Sequence, residues 1–208
     1  MSKITLAPNA AGTGIFTVAA PGTSTDRTLT LPDATTTLVG TDATQTLTNK
    51  TLQGGALTQS TAQATTSGLN IDFTGIPSWA KRVTVMLSGV STTGTSAVLL
   101  QVGTSSGFLS SGYLSAAVAG GGAAQNGTQG FILSASNNNT DTLGGAIFLI
   151  NLTGTTWVVH GGFRQNGGNA PTTTSGEITL AAALDRVRLT SAGSFSFDAG
   201  TINIMWEG

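Results

Sequence analysis

Residues 69–88 read LNIDFTGIPSWAKRVTVMLS, two segments of alternating apolar and polar residues joined by a turn that contains glycine and proline. The apolar residues are Leu69, Ile71 and Phe73 in the first segment and Val83, Val85 and Leu87 in the second. Successive side chains of a β-strand point to opposite faces of a sheet. The alternation therefore predicts two strands that each bury one face.

The same kind of pattern continues to the end of the chain. Further strands are predicted at 97–102, 112–118, 130–134, 144–150, 156–163, 177–181, 186–190, 194–197 and 202–206. A strand about every ten to twelve residues, with loops rich in Gly, Asn, Ser and Thr, is typical of an antiparallel sandwich. The only helix-favouring cluster, at 181–184, lacks caps and favours a turn. The predicted fold class is all-β, with a jelly-roll-like β-sandwich as its main domain.

Residues 1–57 differ from the rest, because their strand-like bursts are short and polar. The bursts lie at 4–6, 15–18, 28–31, 36–39 and 46–52, separated by residues that favour turns. A ribbon of such strands is only marginally stable by itself, since it buries no core of its own. We therefore expect an assembly and anchoring arm that uses the apolar residues Ile4, Leu6, Ile15, Phe16, Leu29, Leu31, Leu47 and Leu52.

The chain is therefore divided into three parts. Residues 1–57 form the arm, and residues 69–208 form the β-sandwich. Residues 58–68 lack both periodicity and large apolar side chains. They are interpreted as a linker or as a loosely packed approach to the sandwich.

Charge is scarce in this sequence of 208 residues. Only 8% of the residues are Asp, Glu, Lys or Arg, against about 25% in an ordinary soluble domain. Charge is the usual protection of unpaired strand edges against association. A strand-rich chain that omits this protection is expected to cover its edges with copies of itself or with neighbouring proteins.

Composition also excludes several classes of partner and of compartment. The net charge is −1 and the basic residues are scattered, whereas nucleic-acid binding needs a clustered positive field. The chain has no cysteine for disulfides. No apolar run reaches the roughly 18 residues of a membrane span, and the first residues lack the apolar segment of a signal peptide. The sequence therefore predicts a chain made in the cytoplasm, with no membrane insertion.

Two runs in the arm carry a resemblance to a known family. Residues 27–35 read RTLTLPDAT, and residues 40–52 read GTDATQTLTNKTL. Together they resemble a module of virion appendage proteins of tailed bacteriophages, including tail fibres and head fibres, and TNKTL at 48–52 is its most recognisable part. Residues 71–77 and 82–87 are similar to the terminal β-domains that cap such appendages. Because fibres of this kind are commonly trimers, the resemblance implies a homotrimer.

The resemblance also implies a function. We expect a structural protein of a phage virion, a fibre or a capsid decoration protein, made in the host cytoplasm and anchored by its arm to other virion proteins of the capsid or the tail. The alternative is a module that binds a glycan receptor on the host surface. For that role the receptor-facing candidates are Trp79, whose ring could stack on a sugar, and the amides of Asn137, Asn138 and Asn139.

Catalytic and cofactor motifs are not found in the sequence. His160 is the only histidine, and no Gly-x-Ser-x-Gly elbow provides a nucleophile for it. The acidic residues lie mostly at turns, where they stabilise the backbone, so a glycosidase pair is not indicated. There is no calcium loop or phosphate-binding loop. We therefore expect neither an enzyme nor a bound cofactor or metal.

Overall fold

A computed structural model describes residues 11–15, 17, 22–26, 28, 57–120, 122–167 and 171–208. The chain divides into two compact units, Met1–Lys50 and Thr51–Gly208. Of the arm residues named above, only Ile15 lies among the described residues, and its side chain is 92% exposed. The predictions for Ile4, Leu6, Phe16, Leu29, Leu31, Leu47 and Leu52 lie outside the described residues.

The described part of the second unit is built entirely from β-strands and loops, with no helix in residues 57–120, 122–167 and 171–208. In chain order the strands are β1 Thr58–Gln59, β2 Gln63–Ala64, β3 Asn70–Thr74, β4 Arg82–Thr92, β5 Ser96–Thr104, β6 Gly107–Phe108, β7 Leu114–Ala119, β8 Gln125–Gly127, β9 Phe131–Asn137, β10 Thr142–Thr153, β11 Thr156–Asn166, β12 Pro171–Thr179, β13 Arg186–Ser191 and β14 Phe197–Glu207. The all-β prediction is confirmed.

The strands form two open antiparallel sheets. In the nine-stranded sheet the order is β1-β14-β4-β10-β11-β12-β7-β8, and β2 also pairs with β14. In the five-stranded sheet the order is β3-β13-β5-β6, and β9 also pairs with β5. The chain passes from one sheet to the other at connections such as β3 to β4 and β13 to β14, which is consistent with the predicted β-sandwich.

One apolar core unites the two sheets. It takes Ile71 and Leu189 from the smaller sheet and Val85, Ile147 and Leu149 from the larger one. The apolar residues predicted to face the core are buried, namely Ile71, Phe73, Val83, Val85 and Leu87. Leu69 is the exception, because it precedes β3 and is 44% exposed.

The segment interpreted as a linker belongs largely to the nine-stranded sheet. Both β1 and β2 pair with β14. Thr65 is fully buried, and its backbone N–H and hydroxyl both donate to carbonyls of β14, at 3.0 and 2.7 Å. Backbone and hydroxyl hydrogen bonds, rather than apolar side chains, hold this segment, which explains why hydrophobic periodicity does not reveal it.

Two glycines let β4 and β14 cross closely. Gly89 and Gly200 have φ angles of 65° and 100°, a region that other residues rarely adopt. A Cβ atom on Gly200 would lie 2.5 Å from the backbone of Gly89. The sequence predicts separate strands at 194–197 and 202–206. Residues 194–196 instead lie in a loop, while Phe197 and residues 202–206 belong to the single bulged strand β14.

Candidate recognition and assembly surfaces

The chain enters the sandwich at one end of the nine-stranded sheet. Thr58 pairs with Trp206, and the adjacent Glu207 pairs with Arg82 at the first residue of β4. We call this the near end. The opposite end, where β4 finishes and Leu143 of β10 pairs with Val90, is the far end. Eight residues separate Arg82 from Val90, so the two pairs are roughly 27 Å apart at the usual rise of a strand.

The receptor-facing candidates do not form one site. Trp79 precedes β4 and therefore lies at the near end, whereas Asn137, Asn138 and Asn139 precede β10 and lie at the far end. The register of β4 against β10 thus separates the indole from the amides by most of the length of the sheet. A single glycan site that uses both is excluded.

Trp79 is 47% exposed at the near end. Its backbone carbonyl and the edge of its ring lie against Gly208, where a Cβ atom would approach them to 2.3 and 3.1 Å. Leu57 and Leu152 are also exposed near this end of the sheet, by 54% and 64%. The near end therefore presents apolar surface where the chain enters.

Asn137 was expected to face a receptor, and the structure corrects this. Its side chain is completely buried, and its Nδ2 donates to Thr92 Oγ1 at 3.2 Å. Asn137 ends β9, so its amide ties the β9 to β10 loop to the end of β4. Its role in the described structure is to hold the loop in place.

The side chains of Asn138 and Asn139 are not fully buried like that of Asn137, but the amide oxygen of Asn138 already accepts hydrogen bonds within its own loop. Asn138 Oδ1 accepts hydrogen bonds from the backbone and hydroxyl of Thr140, at 2.9 and 2.6 Å. This is the local turn that Asn side chains favour. Asn138 is half-buried and Asn139 is exposed. Asn139 therefore offers the freer amide at the far end.

The buried carboxylate of Asp141 anchors the same loop. It is 1% exposed, and its Oδ2 accepts Nε2 of Gln165 at 2.7 Å and the backbone N–H of Asn138 at 3.2 Å. Gly167 leaves the space for this carboxylate, since a Cβ there would overlap Asp141 Oδ1. Sequence reasoning treated Asp141 only as a turn residue and missed that it joins the β9 to β10 loop with β11.

A cavity of about 300 Å³ lies beside this network. Its wall contains small apolar side chains such as those of Ala117 and Ala119, and its polar groups come from Gln125, Ser136, Gln165 and Thr172. Thr172 is 2% exposed, and no described residue pairs with its hydroxyl. The walls of the cavity carry no aromatic ring on which a sugar could stack.

The outer face of the nine-stranded sheet carries several exposed large apolar side chains. On β10 it includes Phe148, Ile150 and Leu152, which are 37%, 43% and 64% exposed. Register places Phe148 between Thr84 and His160, and Ile150 between Arg82 and Val158. His160 is thus an exposed residue at the centre of this face. Sequence reasoning missed the face, although apolar residues on both sides of β10 signal a strand covered on both sides.

The outer face of the five-stranded sheet is polar. Arg188 donates from Nε and Nη2 to the two carboxylate oxygens of Asp72 at 2.7 and 2.8 Å. Its guanidinium also lies 4.0 Å from the centre of the Phe108 ring. The hydrogen bonds with Asp72 raise the pKa of Arg188. This face is therefore built from satisfied polar groups.

The described residues bring no candidate metal-binding group together. No group of three or more His, Cys, Asp or Glu side chains is close enough to hold a metal within the described ranges. Burial raises the pKa of the Tyr113 phenol to about 12. Among the described residues, no helix is long and apolar enough to cross a membrane.

Comparison of the chain with family models, with curated proteins and with solved structures found no match.

Proposed function

We propose that this chain is a structural protein of a tailed-bacteriophage virion, an oligomeric fibre or surface decoration protein. The subunit number that the resemblance of residues 27–52 implies is three. In this proposal the arm, residues 1–57, anchors the chain to capsid or tail proteins of the particle. The protein is made in the host cytoplasm and acts in the virion.

One structural observation supports this proposal most directly: the described part of the sandwich begins at the near end, while three short loops lie at the opposite, far end. Thr58 pairs with Trp206 at the near end. The turns at 93–95, 138–141 and 192–196 lie at the far end, as the pairing of β4, β10 and β14 requires. A protein held through its arm would direct these loops away from the particle.

Deletion of residues 2–53 tests the anchoring role. We expect the deleted chain to keep its β-sandwich, measured by circular dichroism and thermal unfolding, and to lose its incorporation into phage particles. A matched control replaces the same residues with a Gly/Ser linker of equal length, which keeps the spacing and removes the sequence. Incorporation of both variants at the level of the intact chain would contradict the proposal.

Glycan binding at the far end is the second candidate function. The exposed amide of Asn139 and the half-buried amide of Asn138 favour it, because amides are suitable partners for hydroxyl-rich ligands. Asn139→Ala is expected to weaken binding to host cells or to a glycan array, while Trp79→Ala at the near end serves as the control. A second outcome is that the intact chain binds neither host cells nor the glycan array and still binds firmly to particles that lack this protein. That result would favour a decoration protein over a receptor-binding module.

A further inference from the structure

The two outer faces of the sandwich are chemically opposite. The five-stranded sheet exposes Asn70, Asp72 and Thr74 on its edge strand, and Asp72 is paired with Arg188. The nine-stranded sheet exposes Phe148 and Ile150 in its middle. An antiparallel sheet with one face in water shows polar residues on that face. The smaller sheet fits this description, and the larger sheet does not.

The outward residues of the larger sheet form rows that cross several strands, and each row contains both apolar and polar side chains. One row runs from Arg82 through Ile150 and Val158 to Glu177 and Leu114. The next row contains Thr84, Phe148, His160, Ser175 and Ala116, in strand order. Because the rows are contiguous, the face is continuous from β4 to β7.

Side chains on this face already pack closely against one another. Thr84 points outward, since its neighbours Val83 and Val85 enter the core, yet it is only 4% exposed. Its cross-strand neighbours on the same face are Phe148 and Met205. The long side chains around Thr84 therefore form a flat, filled surface, which suits a broad contact better than a small ligand.

The size of the face matches a stable protein interface. Six adjacent strands, β14, β4, β10, β11, β12 and β7, contribute to it. At about 4.8 Å between strands and paired lengths of roughly 20–30 Å, the face covers on the order of 600 Å². A standard interface buries about 800 Å² per partner. A single isolated contact of Phe148 would be far smaller.

The charges of the face balance. Arg82 forms an ion pair with Glu207 at one corner, while Glu177 on β12 and Arg164 on β11 are exposed farther across. Two positive and two negative side chains therefore lie on a face whose centre is apolar. A second copy of such a face meets no net repulsion, whereas a strongly charged partner would find no complementary field.

We propose that the outer face of the nine-stranded sheet is the surface through which copies of this chain associate, with Phe148, Ile150 and His160 at the contact. This inference rests on the oligomeric part of the proposed function and locates the contact between subunits. It does not depend on attachment to a particle.

Lysine substitution tests the contact in the full-length chain. Phe148→Lys and, separately, Ile150→Lys place a charge at exposed positions of the face, and Thr74→Lys places the same charge on the other sheet. Light scattering is expected to give a multiple of the chain mass, 20.8 kDa, for the intact protein and for Thr74→Lys. The two variants of the face are expected to fall to the mass of one chain with an unchanged circular dichroism spectrum.

Cross-linking provides a readout that does not require a disruptive variant. Because the chain has no cysteine, His160→Cys introduces a single thiol at the centre of the face, and Thr74→Cys is its control. A short bis-maleimide is expected to join chains through position 160 and to leave the position-74 variant uncoupled. Coupling through position 160 would support the proposal even if the lysine variants failed to fold.

Three results would overturn the inference. The first is an intact chain that is monomeric, and the second is folded lysine variants that keep the mass of the intact assembly. The third is lysine variants that fall to the mass of one chain while the position-160 variant does not cross-link. That third result would mean that another segment, such as the arm, covers this face. Incorporation into particles is measured separately through the arm deletion. The proposed function can therefore fail while this contact stands, and the contact can fail while the anchoring role stands.

Discussion

Arg188 binds both carboxylate oxygens of Asp72 across neighbouring strands, with N–O distances of 2.7 and 2.8 Å. The two residues are direct partners in the register of β13 with β3. Their side chains are 26% and 37% exposed, so water screens part of the attraction. The planar guanidinium gains a second contact by lying over Phe108. The contribution of this pair to folding stability therefore depends more on its geometry than on its charge.

The variant Arg188→Lys tests how much this geometry stabilises the fold, because lysine keeps the charge and loses both the paired hydrogen bonds and the planar contact. We expect a loss of about 1 kcal/mol in the free energy of unfolding, or roughly 2–4 °C in the melting temperature. Thermal unfolding measures it. Lys81→Arg, at an exposed site, is the control, and an Arg188→Lys variant as stable as the parent would show that the geometry is unimportant.

Tyr113 is predicted to ionise only at strongly alkaline pH in the folded protein. The hydroxyl accepts the backbone N–H of Val102 at 2.7 Å and donates to the carbonyl of Leu109 at 3.0 Å. Burial raises its pKa from 10.0 to about 12. Since Tyr113 is the only tyrosine, absorbance at the tyrosinate band reports it alone. A folded-state midpoint near that of the denatured chain would contradict the structure.

The same shift predicts a pH dependence of stability. Because the folded state holds the phenolic proton more tightly, its contribution is fully present below pH 10.0 and is lost as the pH rises towards 12. Denaturant unfolding across this window should show falling stability. Tyr113→Phe should remove the part of this pH dependence that is due to the phenol. The variant should also lose about 1–2 kcal/mol in the free energy of unfolding, because a backbone group is left unpaired.

Gly161 and Gly162 are adjacent on β11 but differ in the space beside them. A Cβ atom on Gly161 would lie 2.6 Å from the carbonyl oxygen of Ala146 and 2.7 Å from Cα of Ile147. On Gly162 its nearest contact would be 4.0 Å away. We expect Gly161→Ala to cost about 1–3 kcal/mol and Gly162→Ala to be neutral or slightly stabilising. Equal melting temperatures for the two variants would refute this prediction.

The β9 to β10 loop at the far end contains one buried amide that holds the loop in place and one exposed amide. Asn137→Ala removes a fully buried side chain that donates to Thr92, and it should cost about 1–3 kcal/mol. Asn139→Ala changes an exposed side chain and should stay within about 0.5 kcal/mol. Urea unfolding compares the two variants. Comparable destabilisation would mean that Asn139 also holds the loop.

Hydrophobic alternation predicted most of the apolar strands of the sandwich. The prediction at 156–163 is confirmed by β11, and that at 186–190 by β13. The strand predicted at 177–181 begins earlier than expected, because β12 runs from Pro171 to Thr179. Its inward residues there are threonines, and Thr174 donates its hydroxyl to the carbonyl of Ile132 at the edge of β9. A hydroxyl that satisfies a buried backbone group leaves no hydrophobic signal.

The candidate sites were harder to predict than the fold. Composition suggested that Asn137, Asn138 and Asn139 were equivalent, yet strand phase buries the first and exposes the third. The distance between Trp79 and these amides depends on which strands pair, and sequence alone does not give pairing. The outer face of β10 was readable in principle, since Phe148 and Ile150 alternate with the buried Ile147 and Leu149.

Separation of the two ends of the sandwich has a practical consequence for engineering. The turn at Asn138–Asp141 lies on the side opposite the point where the chain enters, and its tip at Asn139 and Thr140 is exposed. Exposed polar tips are where foreign segments are best tolerated. A peptide epitope inserted after Asn139 would be presented at the far end of the sandwich, so the domain is a suitable scaffold for epitope display.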